Sequence, residues 1–304
     1  MGNDNVFLNL NLIDLAAQPR AMHIDNKFIL IDNFNDLMDE NYSRELSFAS
    51  YPVKLSFTIV MIVVAGGIKV KINLEEFEAH EGDSITVLKG NIGEFCNLLP
   101  NTRMAVIAFS DDFFNVAKCM NVAISLRQYV YLNPLLRFDR DYLDEALEIY
   151  CKMKLKLAET DNEYREGIIQ GYTQILLNNA FYYFEKKWKN HVGDSLDYSR
   201  NQAIYTSFIQ AVQKHYIRER SITYYADLLC ISPKYLSQVI KSVTGRLAGE
   251  WISDYVILEA KALLKSNKYT VQQVCDMLNF PNQSFFGKYF KRKTGMSPKN
   301  YSKS

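Results

Sequence analysis

Lys234, Ser237, Gln238 and Lys241 form one polar series near the C-terminal end of the sequence, and Gln283, Ser284, Lys288 and Lys291 form another about fifty residues later. These side chains suit two kinds of contact with a nucleic acid. A Gln amide can bond two atoms on one base edge, Ser can donate or accept, and Lys can meet a guanine edge or a phosphate oxygen. Phe285 adds an apolar group suited to a thymine methyl, and Lys291-Arg292-Lys293 add a basic run suited to the sugar–phosphate backbone. Base edges are therefore the expected targets of Lys234, Ser237, Gln238, Gln283, Ser284, Phe285 and Lys288. Phosphates are the expected targets of Lys241, Lys291, Arg292 and Lys293. The plainer alternative is two solvated faces of an ordinary all-α domain, with the basic run favoured by the dipole of a last helical turn.

The elements around both series repeat. Ala226-Asp227-Leu228-Leu229, a turn at Cys230-Ile231-Ser232 and a second segment from Pro233 to Gly245 make one unit. Cys275-Asp276-Met277-Leu278, a turn at Asn279-Phe280-Pro281-Asn282 and a segment from Gln283 to Gly295 make the other. Leu236, Ile240 and Gly245 recur as Phe286, Phe290 and Gly295, fifty positions on. Ala226 recurs as Cys275 after forty-nine, so the second turn is one residue longer. Ser232 and Asn282 are N-cap types, and Pro233 suits a first helical position. Leu236 with Ile240, and Phe286 with Phe290, stand four residues apart and face inward together. Each unit has the form of a helix-turn-helix.

On these residues the segment 201–302 resembles the DNA-binding domain of the AraC/XylS transcriptional regulators. The resemblance is carried by Ala226, Ile231-Ser232-Pro233, Tyr235-Leu236 and Thr244-Gly245 in the first unit, and by Ala260-Lys261 and Leu263-Leu264 between the units. In the second unit it rests on Asn279-Phe280, Phe286, Tyr289-Phe290-Lys291, Thr294-Gly295, Ser297-Pro298 and Tyr301. It covers about a third of the chain. Asn279 stands where the family has Gly, Val256 where an Arg is common, and Ser302 where an Arg follows the final Tyr. The last two changes remove particular phosphate contacts and leave the fold untouched. The resemblance implies two helix-turn-helix units joined by one long helix, Leu247 to Ser266. Its role is to hold the recognition helices about one DNA turn apart, roughly 34 Å.

Charge separates along the chain. From Arg200 onward there are 16 Lys and Arg against 6 Asp and Glu, a net +10, while the preceding 199 residues hold 19 against 28, a net −9. A basic third beside an acidic remainder fits a nucleic-acid-binding domain joined to a domain with another task. The five cysteines, Cys96, Cys119, Cys151, Cys230 and Cys275, are odd in number and form no Cys-x-x-Cys pair, which suits reduced thiols in the cytoplasm. The first residues lack a secretory pattern, Val6 stands where myristoylation needs Ser or Thr, and the run from Ile59 to Ile68 is too short to span a bilayer. No membrane association is expected.

The remainder reads as an arm over residues 1–24, then strands from Phe28 to about Phe114, then two amphipathic helices from Asp141 to about Asn190 broken at 158–162. Lys69 to Leu74 alternates, with Val70, Ile72 and Leu74 on one face, and Gly-rich turns separate the strands. This spacing fits a small antiparallel barrel or jelly roll. The family resemblance implies a cupin-like barrel there, one that often holds a small effector. A metal-dependent enzyme would need two or three His with a carboxylate, yet only His23 and His80 fall in this region, without a ligand spacing. No nucleophile, Walker or Rossmann pattern occurs either. The helix pair either covers the sheet or joins a second chain, and the aromatic run 181–184 suits a core or an effector pocket. The polar stretch 191–200 reads as a linker.

The expectation is an α+β protein of two domains, a β-barrel with helices over 1–190 and an all-α double helix-turn-helix over 201–304. Its function would be sequence-specific transcriptional regulation on double-stranded DNA, without cofactor, metal or enzyme activity. A homodimer, a small-molecule effector and RNA polymerase are the further partners considered. Two alternatives stay open: an N-terminal domain that only dimerises, and a metal-dependent cupin enzyme with a DNA-binding appendage.

Overall fold

The computed structural model describes residues 9–18, 20–34, 52–113, 130–131, 133–191 and 196–303. The chain divides into two compact units, one built from Leu10–Ser50 and Leu55–Asp194, the other from Ser195–Ser304 with Met1–Asn9 and Tyr51–Lys54. Among the described residues no helix is long and apolar enough to cross a membrane.

In chain order come β1 (Asn9–Leu10), α1 (Leu12–Ala16), β2 (Met22–Ile24), β3 (Phe28–Asp32), β4 (Val53–Leu55), β5 (Thr58–Ala65) and β6 (Gly67–Ile72). β7 (Glu75–His80), β8 (Asp83–Val87), β9 (Ile92–Leu98), β10 (Arg103–Phe109) and β11 (Leu135–Arg137) follow. They hydrogen-bond as two sheets, in the orders β1-β4-β9-β6-β7 and β11-β8-β5-β10-β3-β2. Of the expected barrel or jelly roll, the described residues form two separate sheets and not one closed ring. At the centre β10 pairs antiparallel with both β3 and β5, with Ile107 opposite Leu30 and Val60. Gly66, at φ +70, turns the chain from β5 to β6, and a Cβ there would lie 2.7 Å from Thr102. Only glycine fits that approach.

Two expectations are corrected here, and a third is in part untested. The arm expected over 1–24 is folded from Asn9 on, its residues 1–8 lying outside the described residues. Asn11 accepts from Asp14 N at 3.2 Å while Asp14 accepts from Asn11 N at 2.9 Å, a reciprocal cap that starts α1 and buries Leu12 and Leu15. The alternating strand stops at Ile72, because Asn73 takes a left-handed φ of 59 and begins the hairpin to β7. The expected strand region also included 35–51 and Phe114, which lie outside the described residues.

α2 (Arg140–Ala158) and α3 (Arg165–His191) cover one face of the six-stranded sheet. Tyr150, Met153 and Leu157 of α2 and Ile169 of α3 pack with Phe28, Leu30, Ile62 and Ile107 of the sheet. Each such side chain contributes about 1.5–3 kcal/mol of burial. The Tyr150 phenol donates to Asp32 Oδ2 at 3.0 Å, and Lys154 meets the same oxygen at 2.6 Å.

Of the expected linker 191–200, His191 ends α3, residues 192–195 lie outside the described residues, and residues 196–200 are helical. They open α4 (Leu196–His215), which starts the second unit. α5 (Ile222–Leu228), α6 (Pro233–Thr244), α7 (Ala248–Lys265), α8 (Val271–Met277), α9 (Gln283–Thr294) and α10 (Pro298–Lys303) complete it.

Candidate nucleic-acid interface

Local chemistry sets the same geometry twice. α5 and α8 are seven residues each, and α6 and α9 are twelve residues each, starting fifty positions apart. Both first helices end in the same left-handed cap. Ile231 N donates to Ala226 O and Phe280 N to Cys275 O, each at 3.0 Å, while Cys230 and Asn279 take φ of 55 and 53. This six-to-one bond is the Schellman arrangement, and Asn279 fills the position with a residue that tolerates it. Ser232 then accepts from Tyr235 N at 3.2 Å to start α6, and Asn282 accepts from Phe285 N at 2.8 Å to start α9. Gly245 and Gly295, at φ 71 and 79, close both second helices.

Each of these second helices buries one side and exposes the other. Leu236, Val239 and Ile240 are buried on α6, and Phe286 and Phe290 on α9. Lys234, Gln238 and Lys241 are exposed on α6, as are Gln283, Ser284, Lys288, Lys291 and Arg292 on α9. Lys234, Gln238 and Lys241 match Ser284, Lys288 and Lys291 at an offset of fifty, so one stripe occurs on both helices. Phe285 is 53% exposed, leaning on Phe280 with ring centroids 6.2 Å apart. An apolar ring left in water at the start of such a helix is available for a methyl group.

Two expected contacts look different in place. Ser237 is half-buried and its hydroxyl donates to Pro233 O at 2.7 Å, leaving only its acceptor capacity outward. Lys293 is exposed and places its ammonium 2.9 Å from Asp254 Oδ1, a carboxylate it shares with Arg246, so it also has a partner within its own domain. Arg292 lies beside it with its guanidinium 5.8 Å from the Tyr289 ring centre.

Braces join the two helix-turn-helix motifs. Asp254 on α7 pairs with Arg246, just after α6, as well as with Lys293 on α9. Arg246 also lies over the Trp251 ring at 4.6 Å, and Trp251 donates to Thr244 Oγ1 at 3.3 Å. Arg220, just before α5, donates to Leu278 O and lies 4.0 Å over the Phe280 ring, so it reaches the turn of the second helix-turn-helix motif. α7 is buried nearly all round, by Trp251, Ile252, Tyr255, Val256, Ile257, Ala260, Leu263 and Leu264. A helix of that kind is the core of its domain. Val256 is enclosed there, and Ser302 bonds Asn267 at 3.3 Å. Asp254 and Arg220 were missed in the sequence. Asp254 is one of only six acidic residues in a basic stretch, and that isolation was the available signal.

Comparison with a family model comes to the same region. Residues 225–304 match the model of a family described as a helix-turn-helix domain. The chain is 31% identical over 93 residues to an uncharacterized HTH-type transcriptional regulator, YobQ, of Bacillus subtilis, covering 31% of this chain and 39% of that protein. It is 32% identical over 76 residues to the arabinose operon regulatory protein of Escherichia coli, covering 25% of this chain and 26% of that one. The chain thus spans less than two fifths of the length of these relatives. Among solved structures, ToxT from Vibrio cholerae aligns over 82% of this chain and 89% of its own, at 18% identity and a TM-score of 0.40.

Proposed function

We propose that this chain, whose C-terminal domain is a helix-turn-helix domain of the AraC type, is a sequence-specific DNA-binding transcriptional regulator and not an enzyme. The observation that carries the reading is one exposed polar stripe repeated on α6 and α9, with both helices braced to α7. A stripe of Lys, Gln and Ser on helices of that exposure suits the major groove, and α7 suits the spacing of two such entries along one DNA face. In this reading Lys234, Gln238, Gln283, Ser284, Phe285 and Lys288 meet base edges, with Ser237 as an acceptor. Lys241, Lys291 and Arg292 meet phosphates, and Lys293 holds α9 in place through Asp254. RNA polymerase is the protein partner that regulation would call on, in the cytoplasm.

The first unit is proposed to assemble and to sense. Leu155 on α2 is 70% exposed, and Ile175 and Tyr182 on α3 are 47% and 70% exposed. Ile175 and Tyr182 stand two helical turns apart on one face, which favours a homodimer through these helices. A small-molecule effector acting on the same unit completes the reading.

The test is a salt titration of the full chain on duplex DNA. Log K should fall linearly with log salt, and Lys241→Ala and Lys291→Ala should each reduce the size of the slope by about 1. Binding that is insensitive to salt, or variants that leave the slope unchanged, would overturn the assignment.

A further inference from the structure

The first unit contains a cavity of 210 Å³ between the six-stranded sheet and the pair α2 and α3. Val60, Ile107 and Phe109 stand on its sheet side, and Leu143, Leu176 and Phe181 on its helix side. Its position follows from the register. Thr58, Val60 and Ile62 alternate toward the helices, whereas Ile59, Met61 and Val63 point to the other face and are 0–1% exposed. Val87, Val106 and Ala108 fill that other face in the same way. The space therefore lies outside the two sheets, under the helices, and not where a barrel interior would hold a ligand.

The lining selects by charge. Thr58, Ser84 and Thr86 bring hydroxyls to the sheet wall, and Tyr142 brings a phenol from α2. Burial pushes the Tyr142 phenol well above its ordinary pKa, so it stays neutral. Among the described lining residues there is no Lys, Arg or His, and the one charged group is Asp111, already 2.8 Å from Lys89. Among the described lining residues an anion entering here would lose its hydration and meet only a carboxylate, which is costly. A neutral molecule loses little and gains apolar and aromatic walls. The volume accepts on the order of fifteen water-sized atoms.

We propose that this cavity is the effector site, and that it takes a compact neutral ring compound with one hydroxyl or carbonyl group and excludes carboxylates. The inference rests on the reading of the first unit as a sensor. An occupant bridges the sheet and the helix pair, and these helices carry Leu155, Ile175 and Tyr182, so occupancy and assembly act on the same two elements.

The test uses the full chain with a matched pair of probes, 4-propylphenol, neutral at pH 7, and the anion 4-propylbenzoate. The phenol should raise the thermal midpoint and the benzoate should not. Ala146→Phe and Ala180→Phe each fill the cavity from a different helix. Whichever folds should keep its midpoint without probe and lose the phenol-induced shift. An equal response to the benzoate, a shift that survives the filling variants, or no shift with the phenol overturns the proposal. DNA binding measured on the same samples separates the failures. Intact salt-dependent binding with a failed probe test removes this site alone, and loss of both removes the regulator reading.

Discussion

Gly287 lies on the outward stripe of α9, three residues after Ser284 and four before Lys291. It occupies the place that Ser237 holds on α6. Inside a helix a glycine costs about 0.5–1 kcal/mol relative to alanine. Packing does not explain it, because a Cβ built there meets nothing within 4 Å. On the proposed DNA face, however, a missing side chain lets the helix backbone come closer to the duplex. Gly287→Ala should therefore raise the unfolding free energy by about 0.5–1 kcal/mol and weaken binding to a specific site, measurable by denaturant unfolding and by titration. A variant that is more stable and binds as well as the parent removes this role from Gly287. At this scale the sequence was informative wherever a residue acts through its own helix. Lys234, Gln238, Ser284 and Lys288 are exposed, as their helical period requires. Lys293 was not placed, because its partner Asp254 comes from a helix thirty-nine residues earlier, and no local pattern records that distance.

The elements show a similar division. α6 and α9 were legible to the residue because caps, inward pairs and closing glycines agree at both ends. β7 lies within the expected strand region but was not singled out, since Glu75-Glu76-Phe77-Glu78-Ala79-His80 is mostly charged. It is the edge strand of its sheet, and charge on an edge protects it from pairing with another chain. α7 hides a second feature. Glu259 is 0% exposed and accepts from the Tyr216 hydroxyl. Burial pushes its pKa up from 4.5 to about 7, against the Tyr216 hydrogen bond and the charge of Lys54. Between those values the unfolded carboxyl has lost its proton and the folded one retains it. Stability is thus greatest below the lower value, falls as pH rises through the window, and levels off above it. The full loss is roughly 3 kcal/mol at about 1.4 kcal/mol per unit. Glu259→Gln should flatten this dependence and stabilise the protein above about pH 7. Thermal midpoints of parent and variant across the window check it, and parallel profiles would count against a buried, protonated Glu259.

Across the whole molecule the charge divides, +10 from Arg200 onward and −9 before it, which suits two tasks. Two further features required coordinates. One is the arrangement of the strands as two sheets, and the other is the cavity on the helix side, which depends on a register that alternation alone leaves open by one residue. The exposed residues of α2 and α3 bear on assembly. Sedimentation of the full chain at micromolar concentration should show a dimer, and Leu155→Glu with Tyr182→Glu should shift it toward monomer. A monomeric parent, with and without DNA, would contradict dimerisation through these helices.

The central claim is that α6 and α9 both read bases from one rigid frame, and selection from randomised duplexes tests it most directly. Each monomer should select two short sequence elements about one helical turn, roughly 10 base pairs, apart. Gln238→Ala should relax preference in one element and Gln283→Ala in the other, while Lys291→Ala weakens all sequences alike. If both glutamine variants keep the parent preference, or both relax the same base pairs, the two helices do not read DNA as separate units.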